Sequence, residues 1–183
     1  MTERQFLRYA IVFEGETMTK DEALYAKFEA VEEQLAHCYF LLHERFIANP
    51  PLAKFWVEAA MDEMQHESIL RYCREHKLMV DLDVDLKTRQ CIEELLETVK
   101  GIAADPAVTV DEAFYAALLM ESSELEDIYE MLTRGLAKEH RLLFEAIQAS
   151  LRSHHGSFAD AAQEFSGDRG VAEAFRNLGK RVL

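Results

Sequence analysis

The stretch from Trp56 to Cys73 constrains the fold most, because it sets a carboxylate and an imidazole among apolar residues. At helical spacing, one stripe of this stretch contains Trp56, Ala59, Ala60, Glu63, His66, Leu70 and Cys73. A buried carboxylate takes up a proton unless a hydrogen-bonding network or a metal ion stabilises its charge. Glu63 and His66, three residues apart, present an oxygen and a nitrogen to the same point. The stretch therefore predicts a helix that contributes to a polar centre shared with other helices.

Length and composition favour one all-helical domain. A chain of 183 residues with 49% hydrophobic residues is long enough to bury one core. Only 3 prolines and 7 glycines leave few turns, and Ala, Leu, Glu and Met favour helices. We expect an all-α fold in a single domain over residues 1–183.

Charge and cysteine content exclude several classes of protein. The net charge of -14 disfavours nucleic acid and anionic membranes as partners. No apolar run approaches the length of a membrane span, and no secretory segment follows Met1, so we expect a cytoplasmic location. Cys38, Cys73 and Cys91 are too few and too widely spaced for a disulfide framework or a zinc knuckle. Cys38 and Cys73 are predicted to be buried thiols.

The first half of the chain predicts two antiparallel helices and a long crossing. A capping box at Thr19-Lys20-Asp21-Glu22 begins the first helix, whose apolar stripe includes Glu32. Asn49-Pro50-Pro51 ends it, and the second helix covers roughly 52–77. Residues 79–105 read as an extended segment followed by a shorter helix. So long a connection allows the next helix to lie parallel to the second.

The second half begins with a partial repeat of the first. Residues 109–116 match residues 19–26 with only two changes, which hints at a duplicated helix pair. The helix that starts there places Glu121 on its apolar stripe, with Glu124 beside it. A break at Arg134-Gly135 separates this helix from the last core helix.

The last core helix is expected over residues 136–162, and both chain ends are expected to pack outside the core. Its apolar side contains His154. The apolar arm 1–18 and the amphipathic tail 163–183 would pack either on the body of the protein or on a second copy. A homodimer is therefore one expectation.

The inward-facing polar groups come from all four long helices. They are Glu32, Glu63, His66, Glu121, Glu124 and His154. Neighbouring buried carboxylates cannot all be ionised unless cations lie between them. Carboxylate-rich ligation with one imidazole per ion suits iron or manganese better than zinc, and two divalent ions would neutralise four carboxylates.

These residues resemble the ferritin-like superfamily and, within it, the rubrerythrin-like di-iron proteins. The likeness covers about residues 19–162 and rests on three motifs. Glu32 is followed seven residues later by Tyr39, and Glu63-x-x-His66 follows on the second helix. The run from Glu121 to Tyr129 is similar to the rubrerythrin pattern Glu-x-x-Glu-x-x-x-x-Tyr.

The resemblance implies a ferritin-like four-helix bundle with a long crossover between helices 2 and 3. It also implies two iron ions that react with peroxide or dioxygen. Glu32 and Glu121 would be terminal ligands, Glu63 a bridging ligand, His66 a nitrogen ligand and Glu124 an additional carboxylate. No rubredoxin-type Cys-x-x-Cys pair is present, so another protein would have to donate electrons.

The fourth helix departs from the family pattern. The family has a second Glu-x-x-His there, but no Glu lies three residues before His154 or His155. The offset that relates Glu32 to Glu121 selects His155, whereas the apolar stripe selects His154, which we prefer. With one bridging carboxylate missing, two ions, one ion or none remain possible. The functions to distinguish are therefore peroxide or dioxygen reduction, iron handling, and a structural or interaction module with a partial or empty site.

Overall fold

The computed structural model describes residues 18–78, 84–123 and 140–180, which form six helices and no strand. The helices are α1 (Lys20–Arg45), α2 (Pro50–Glu75), α3 (Leu86–Ala104), α4 (Val110–Glu121), α5 (Arg141–Phe165) and α6 (Arg169–Gly179). The prediction of an all-α fold is confirmed over these ranges. Glu124 and the predicted arm up to residue 17 lie outside them. No described helix is long and apolar enough to cross a membrane.

The helices α1 and α4 begin with the same hydrogen-bonded cap, as the sequence repeat suggests. In α1, Thr19 Oγ1 accepts from the Glu22 amide at 3.2 Å, and Glu22 Oε2 accepts from the Thr19 amide at 2.8 Å. In α4, Thr109 and Glu112 repeat both bonds, at 3.3 and 2.9 Å. Each reciprocal pair satisfies two amides that the first helical turn leaves without a partner.

Contacts at both ends show that α1 and α2 are antiparallel. Near the start of α1, Glu29 accepts two bonds from Arg74, near the end of α2, at 2.6 and 2.9 Å. Near the end of α1, His43 Nδ1 lies 3.0 Å from the carbonyl oxygen of Ala53, near the start of α2. The helix α2 begins at Pro50, two residues before its predicted start, because proline fits the first turn of a helix.

The helix α3 lies in the crossing between α2 and α4 and packs against α1 and α4. After this crossing, α4 runs parallel to α2. The rings of Trp56 and Phe114 are 5.2 Å apart, and seven residues further along both helices Glu63 and Glu121 meet at one histidine of α5. The long connection therefore brings these two carboxylates to the same level.

The helices α5 and α6 complete the described core. The helix α5 continues through Gly156, where an added Cβ would have open space. The tail forms α6, which packs on α4 and α5, and Phe175 stacks on Phe158 with ring centroids 4.9 Å apart. Of the two packing arrangements open for the tail, the structure places α6 on the body of its own chain.

Candidate metal centre

Most of the predicted inward-facing residues are buried in one place. Glu32, Glu63, His66 and His154 are each at most 3% exposed, and the Glu121 side chain is 10% exposed. They come from α1, α2, α4 and α5, and we call these five residues the acidic centre. Glu124, the sixth predicted residue, lies outside the described part of the chain.

One half of the acidic centre joins α1 to α2. Glu32, Glu63 and His66 each offer a ligand atom, and these three atoms lie within 4.8 Å of one another. His66 Nδ1 is 2.9 Å from Glu63 Oε2. The Glu-x-x-His spacing therefore brings an oxygen and an imidazole nitrogen together, as the sequence predicts, and α1 adds a second carboxylate.

The other half joins α2 to α4 and α5. His154 Nε2 lies 3.3 Å from Glu63 Oε1 and 3.3 Å from Glu121 Oε2. The three residues again offer ligand atoms within 4.8 Å of one another. Glu63 belongs to both halves and turns one carboxylate oxygen toward each. This is the geometry that a carboxylate needs in order to bridge two ions.

Two further side chains orient residues of the acidic centre. Asp62 Oδ2 lies 3.1 Å from His154 Nδ1, so an N–H on Nδ1 is held by a carboxylate while Nε2 faces the centre. The Tyr39 hydroxyl donates to Glu121 Oε1 at 3.0 Å, which leaves Oε2 directed at His154. Sequence reasoning did not select Asp62, because its partner lies on α5, 92 residues away.

Burial does not distinguish His154 from His155, contrary to the expectation from the apolar stripe. Each of the two histidines is 1% exposed. His154 belongs to a group with Glu63 and Glu121, whereas His155 Nε2 lies 3.6 Å from Glu121 Oε2 and belongs to neither group. Position, rather than burial, therefore favours His154 as a ligand.

The helix α5 supplies one imidazole, that of His154, but no carboxylate to the acidic centre. At the two positions where a second bridging Glu was sought, Leu151 is buried and Arg152 is exposed. Among the described residues, the centre therefore contains three carboxylates, from Glu32, Glu63 and Glu121.

The carboxylates and His154 of the acidic centre shift one another's pKa. Burial raises the pKa of Glu63 and Glu121, but the neighbouring histidines together outweigh this effect, His154 with His66 at Glu63 and His154 with His155 at Glu121, so the pKa of each carboxyl is lowered. Burial lowers the pKa of His154, but Glu121 and Glu63 together raise it well above its ordinary value. The position of Nε2 between the carboxylates of Glu63 and Glu121 therefore favours the protonated form of His154.

The donor set fits two divalent ions. Each half offers two carboxylates and one imidazole, a mixture that suits iron and manganese. Glu63 Oε1 and His154 Nε2 are fully buried and, despite their 3.3 Å separation, are not aligned for a hydrogen bond. Buried polar atoms without a hydrogen bond are rare in proteins, and these two face the same space.

Aromatic rings close one side of the acidic centre. The Phe158 ring lies 4.8 Å from the His154 ring, and the Tyr39 ring lies 5.5 Å from the Trp56 ring. Phe114 packs on Trp56 from α4. All four of these aromatic side chains are fully buried, so they exclude water and strengthen electrostatic interactions inside the centre.

Comparison with known proteins found no matching family model, no matching curated protein and no matching solved structure.

Proposed function

We propose that this chain is a ferritin-like protein of the rubrerythrin type that binds a pair of divalent metal ions, most readily iron, in the acidic centre. Glu63 carries the proposal, because its two oxygens face two separate ligand groups, one with Glu32 and His66 and one with Glu121 and His154. Three buried carboxylates converging from three helices are stable together only if positive charge lies between them.

The helix directions support the ferritin-like part of the proposal. An antiparallel pair α1–α2, a long crossing and a helix α4 parallel to α2 follow the order expected for such a bundle. Further support comes from the aromatic residues beside the centre, which keep the ligands away from solvent.

The ligand roles follow from the observed positions. Glu32 and His66 would hold one ion, Glu121 and His154 the other, and Glu63 would bridge them. A bound iron pair supplies electrons for the reduction of peroxide or dioxygen. The protein itself orients the ligands: Asp62 selects the tautomer of His154, and Tyr39 directs Glu121. Reduction requires electrons from a donor protein, whereas iron handling does not.

A second candidate is a structural module that does not bind metal. Two observations favour it: α5 contributes no carboxylate, and a protonated His154 would offset part of the negative charge of Glu63 and Glu121. In that case the acidic centre is a buried ion-pair network, and the chain needs no cofactor.

Anaerobic titration of the metal-free chain with Fe²⁺ distinguishes the two candidates. The proposal expects about two ions per chain, as in two-metal bundle sites of this kind. Glu63→Gln should bind at most one ion and more weakly, because an amide cannot bridge two cations as a carboxylate does. Glu67→Gln is the matched control, since Glu67 lies one turn further along α2 and pairs with Arg71 instead.

The same Fe²⁺ titration can contradict the proposed metal binding. No Fe²⁺ binding by the unmodified chain would favour the structural module. Two ions bound equally tightly by Glu63→Gln would exclude Glu63 as the bridge. If two ions bind, consumption of hydrogen peroxide by the reduced protein then separates reduction from iron handling.

A further inference from the structure

A groove of about 340 Å³ lies between α2 and α5 and leads to the acidic centre. Its polar lining consists of Glu58 and Asp62 from α2 and Ser153, His154 and Ser157 from α5, and we call it the entry groove. Within the described part of the chain, a groove over α1 and α3 and another over α1 and α2 are not lined by any residue of the acidic centre.

His154 lines the entry groove and also belongs to the acidic centre. Its Nδ1 atom lies 3.1 Å from Asp62, whose side chain is 38% exposed, while Nε2 faces Glu63 and Glu121 inside. His154 itself is 1% exposed, and its Nε2 atom makes no hydrogen bond. The His154 ring therefore lies between the partly exposed carboxylate of Asp62 and the buried carboxylates of Glu63 and Glu121.

The charge of the entry groove selects cations. The groove is lined by two acidic side chains, Glu58 and Asp62. The hydroxyls of Ser153 and Ser157 add neutral oxygens. Lys54 pairs with Glu58 at 2.7 Å, but it is 72% exposed and does not line the groove. Carboxylates at the mouth of a cleft raise the local concentration of cations and repel anions.

We propose that the entry groove is the route by which divalent cations reach the acidic centre, with Glu58 attracting the ion at the mouth and Asp62 receiving it beside His154. This inference rests on the proposed function, because a route has meaning only if the centre binds metal. It predicts that residues at the mouth control the rate of metal binding and leave the number of bound ions unchanged.

Stopped-flow absorbance with Co²⁺ and the metal-free chain tests the proposal. Ser157→Phe places a large ring in the mouth and should slow Co²⁺ association severalfold, with unchanged stoichiometry at equilibrium. Ser68→Phe is the matched control. Both serines are exposed, and each hydroxyl donates to the carbonyl four residues earlier, but only Ser157 lines the entry groove.

Glu58→Gln tests the electrostatic part without adding bulk. Removing one carboxylate near the path should lower the association rate about threefold at low salt, and the difference should fade near 1 M salt, where the screening length is about 3 Å. Glu145→Gln is the control, because Glu145 is similarly exposed and pairs with Arg141 at the same helical spacing.

The possible outcomes separate the two proposals. If Ser157→Phe and Glu58→Gln bind the normal number of ions at the rates of their controls, the entry groove is not the route, and the proposed metal centre is unaffected. A reduced stoichiometry in Ser157→Phe would also overturn the proposed route, because the residue would then belong to the centre rather than to a route. Absence of Co²⁺ binding by the unmodified chain would overturn the proposed function and the entry groove together.

Discussion

At the scale of single residues, the carboxylates around His154 can be neutralised in two ways, by a proton on His154 or by a metal ion bound to it. In the metal-free protein a proton on His154 offsets part of the negative charge of Glu63 and Glu121, each of which has an oxygen 3.3 Å from Nε2. A metal ion at the same place would need Nε2 as an unprotonated ligand, and would itself supply the positive charge. Proton and metal therefore compete for one nitrogen.

Metal binding should release a proton and strengthen as the pH rises. The carboxylates of Glu121 and Glu63 raise the pKa of His154 well above its ordinary value, which favours the protonated ring, and an ion that binds Nε2 must displace the proton. Titration calorimetry in buffers of different ionisation enthalpy measures this release. Affinity that is constant between pH 6 and pH 8 would contradict the placement of the proton on His154. His37→Gln, at an exposed histidine of α1, should leave the release unchanged.

Asp62→Asn should weaken metal binding without unfolding the protein. Loss of a carboxylate that orients a ligand histidine lowers metal affinity about 10–100-fold. Asp62 lies beside His154 Nδ1 and is partly exposed, so the fold should tolerate an amide there. Equilibrium Co²⁺ titration gives the affinity, and the visible absorption of bound Co²⁺ reports a changed ligand geometry.

Asp160→Asn is the control for this variant. Asp160 is an exposed aspartate of α5 that does not line the entry groove, so Asp160→Asn should leave the Co²⁺ affinity nearly unchanged. Equal affinities for Asp62→Asn and the unmodified chain would mean that Asp62 does not position His154.

At the scale of helices, local chemistry determines where α1 and α4 begin. Each start combines a threonine hydroxyl and a glutamate three residues later, which satisfy each other's backbone amides. The start of α4 has a further contact, because Asp111 accepts from Ser166 at 2.7 Å and from the Gly167 amide at 2.8 Å. The first turn of α4 thereby holds the connection between α5 and α6.

Thr109→Ala should destabilise the protein by about 1 kcal/mol, the usual cost of losing a threonine cap. The substitution removes the acceptor for the Glu112 amide and the partner of the Glu112 carboxylate. Urea unfolding followed by circular dichroism measures the change. Thr98→Ala is the control, because Thr98 is exposed within α3 and its hydroxyl bonds only to the Glu94 carbonyl. A loss no greater than in Thr98→Ala would contradict the role of the cap.

At the scale of the whole molecule, the crossing through α3 decides which residues meet. It makes α4 parallel to α2, and Glu121 therefore reaches the level of Glu63 and Tyr39. The helix α5 returns in the opposite direction, as the pairs Phe158–Trp56 and His154–Asp62 show, and closes the acidic centre.

Metal should stabilise the whole fold if the centre binds it. An ion that binds only the folded state adds about 2.7 kcal/mol at a concentration one hundred times its dissociation constant. Thermal unfolding with and without Co²⁺ should show a higher midpoint for the unmodified chain and little change for Glu63→Gln. An equal rise in both proteins would place the stabilising ion elsewhere.

The pH dependence of the metal-free fold has a definite sign. Because the folded protein raises the pKa of His154, this group stabilises the fold below about pH 6.5, and the stability is lost as the pH rises through the raised pKa. The lowered pKa of Glu63 and Glu121 stabilises the fold above about pH 4.5, and this stability is lost on acidification. The metal-free chain should therefore lose stability at low pH and at high pH, and bound metal should remove the loss at high pH.

The sequence alone was sufficient for features that depend on neighbours within one or two helical turns. The caps at Thr19 and Thr109 lie where the motifs indicate, and Glu32, Glu63 and His66 lie on buried stripes because helical periodicity determines the face of each side chain. The buried thiols of Cys38 and Cys73 follow from the same periodicity.

Tertiary structure decided which of these buried groups touch. The choice between His154 and His155 depends on the rotation of α5 against α2, and the role of Asp62 depends on which ring faces it across that interface. Neither the rotation of α5 nor the ring that faces Asp62 can be predicted from the spacing of residues along one helix. Periodicity assigns a side chain to a face, but only the packing of separate helices sets the ångström distances on which ligation and proton sharing depend.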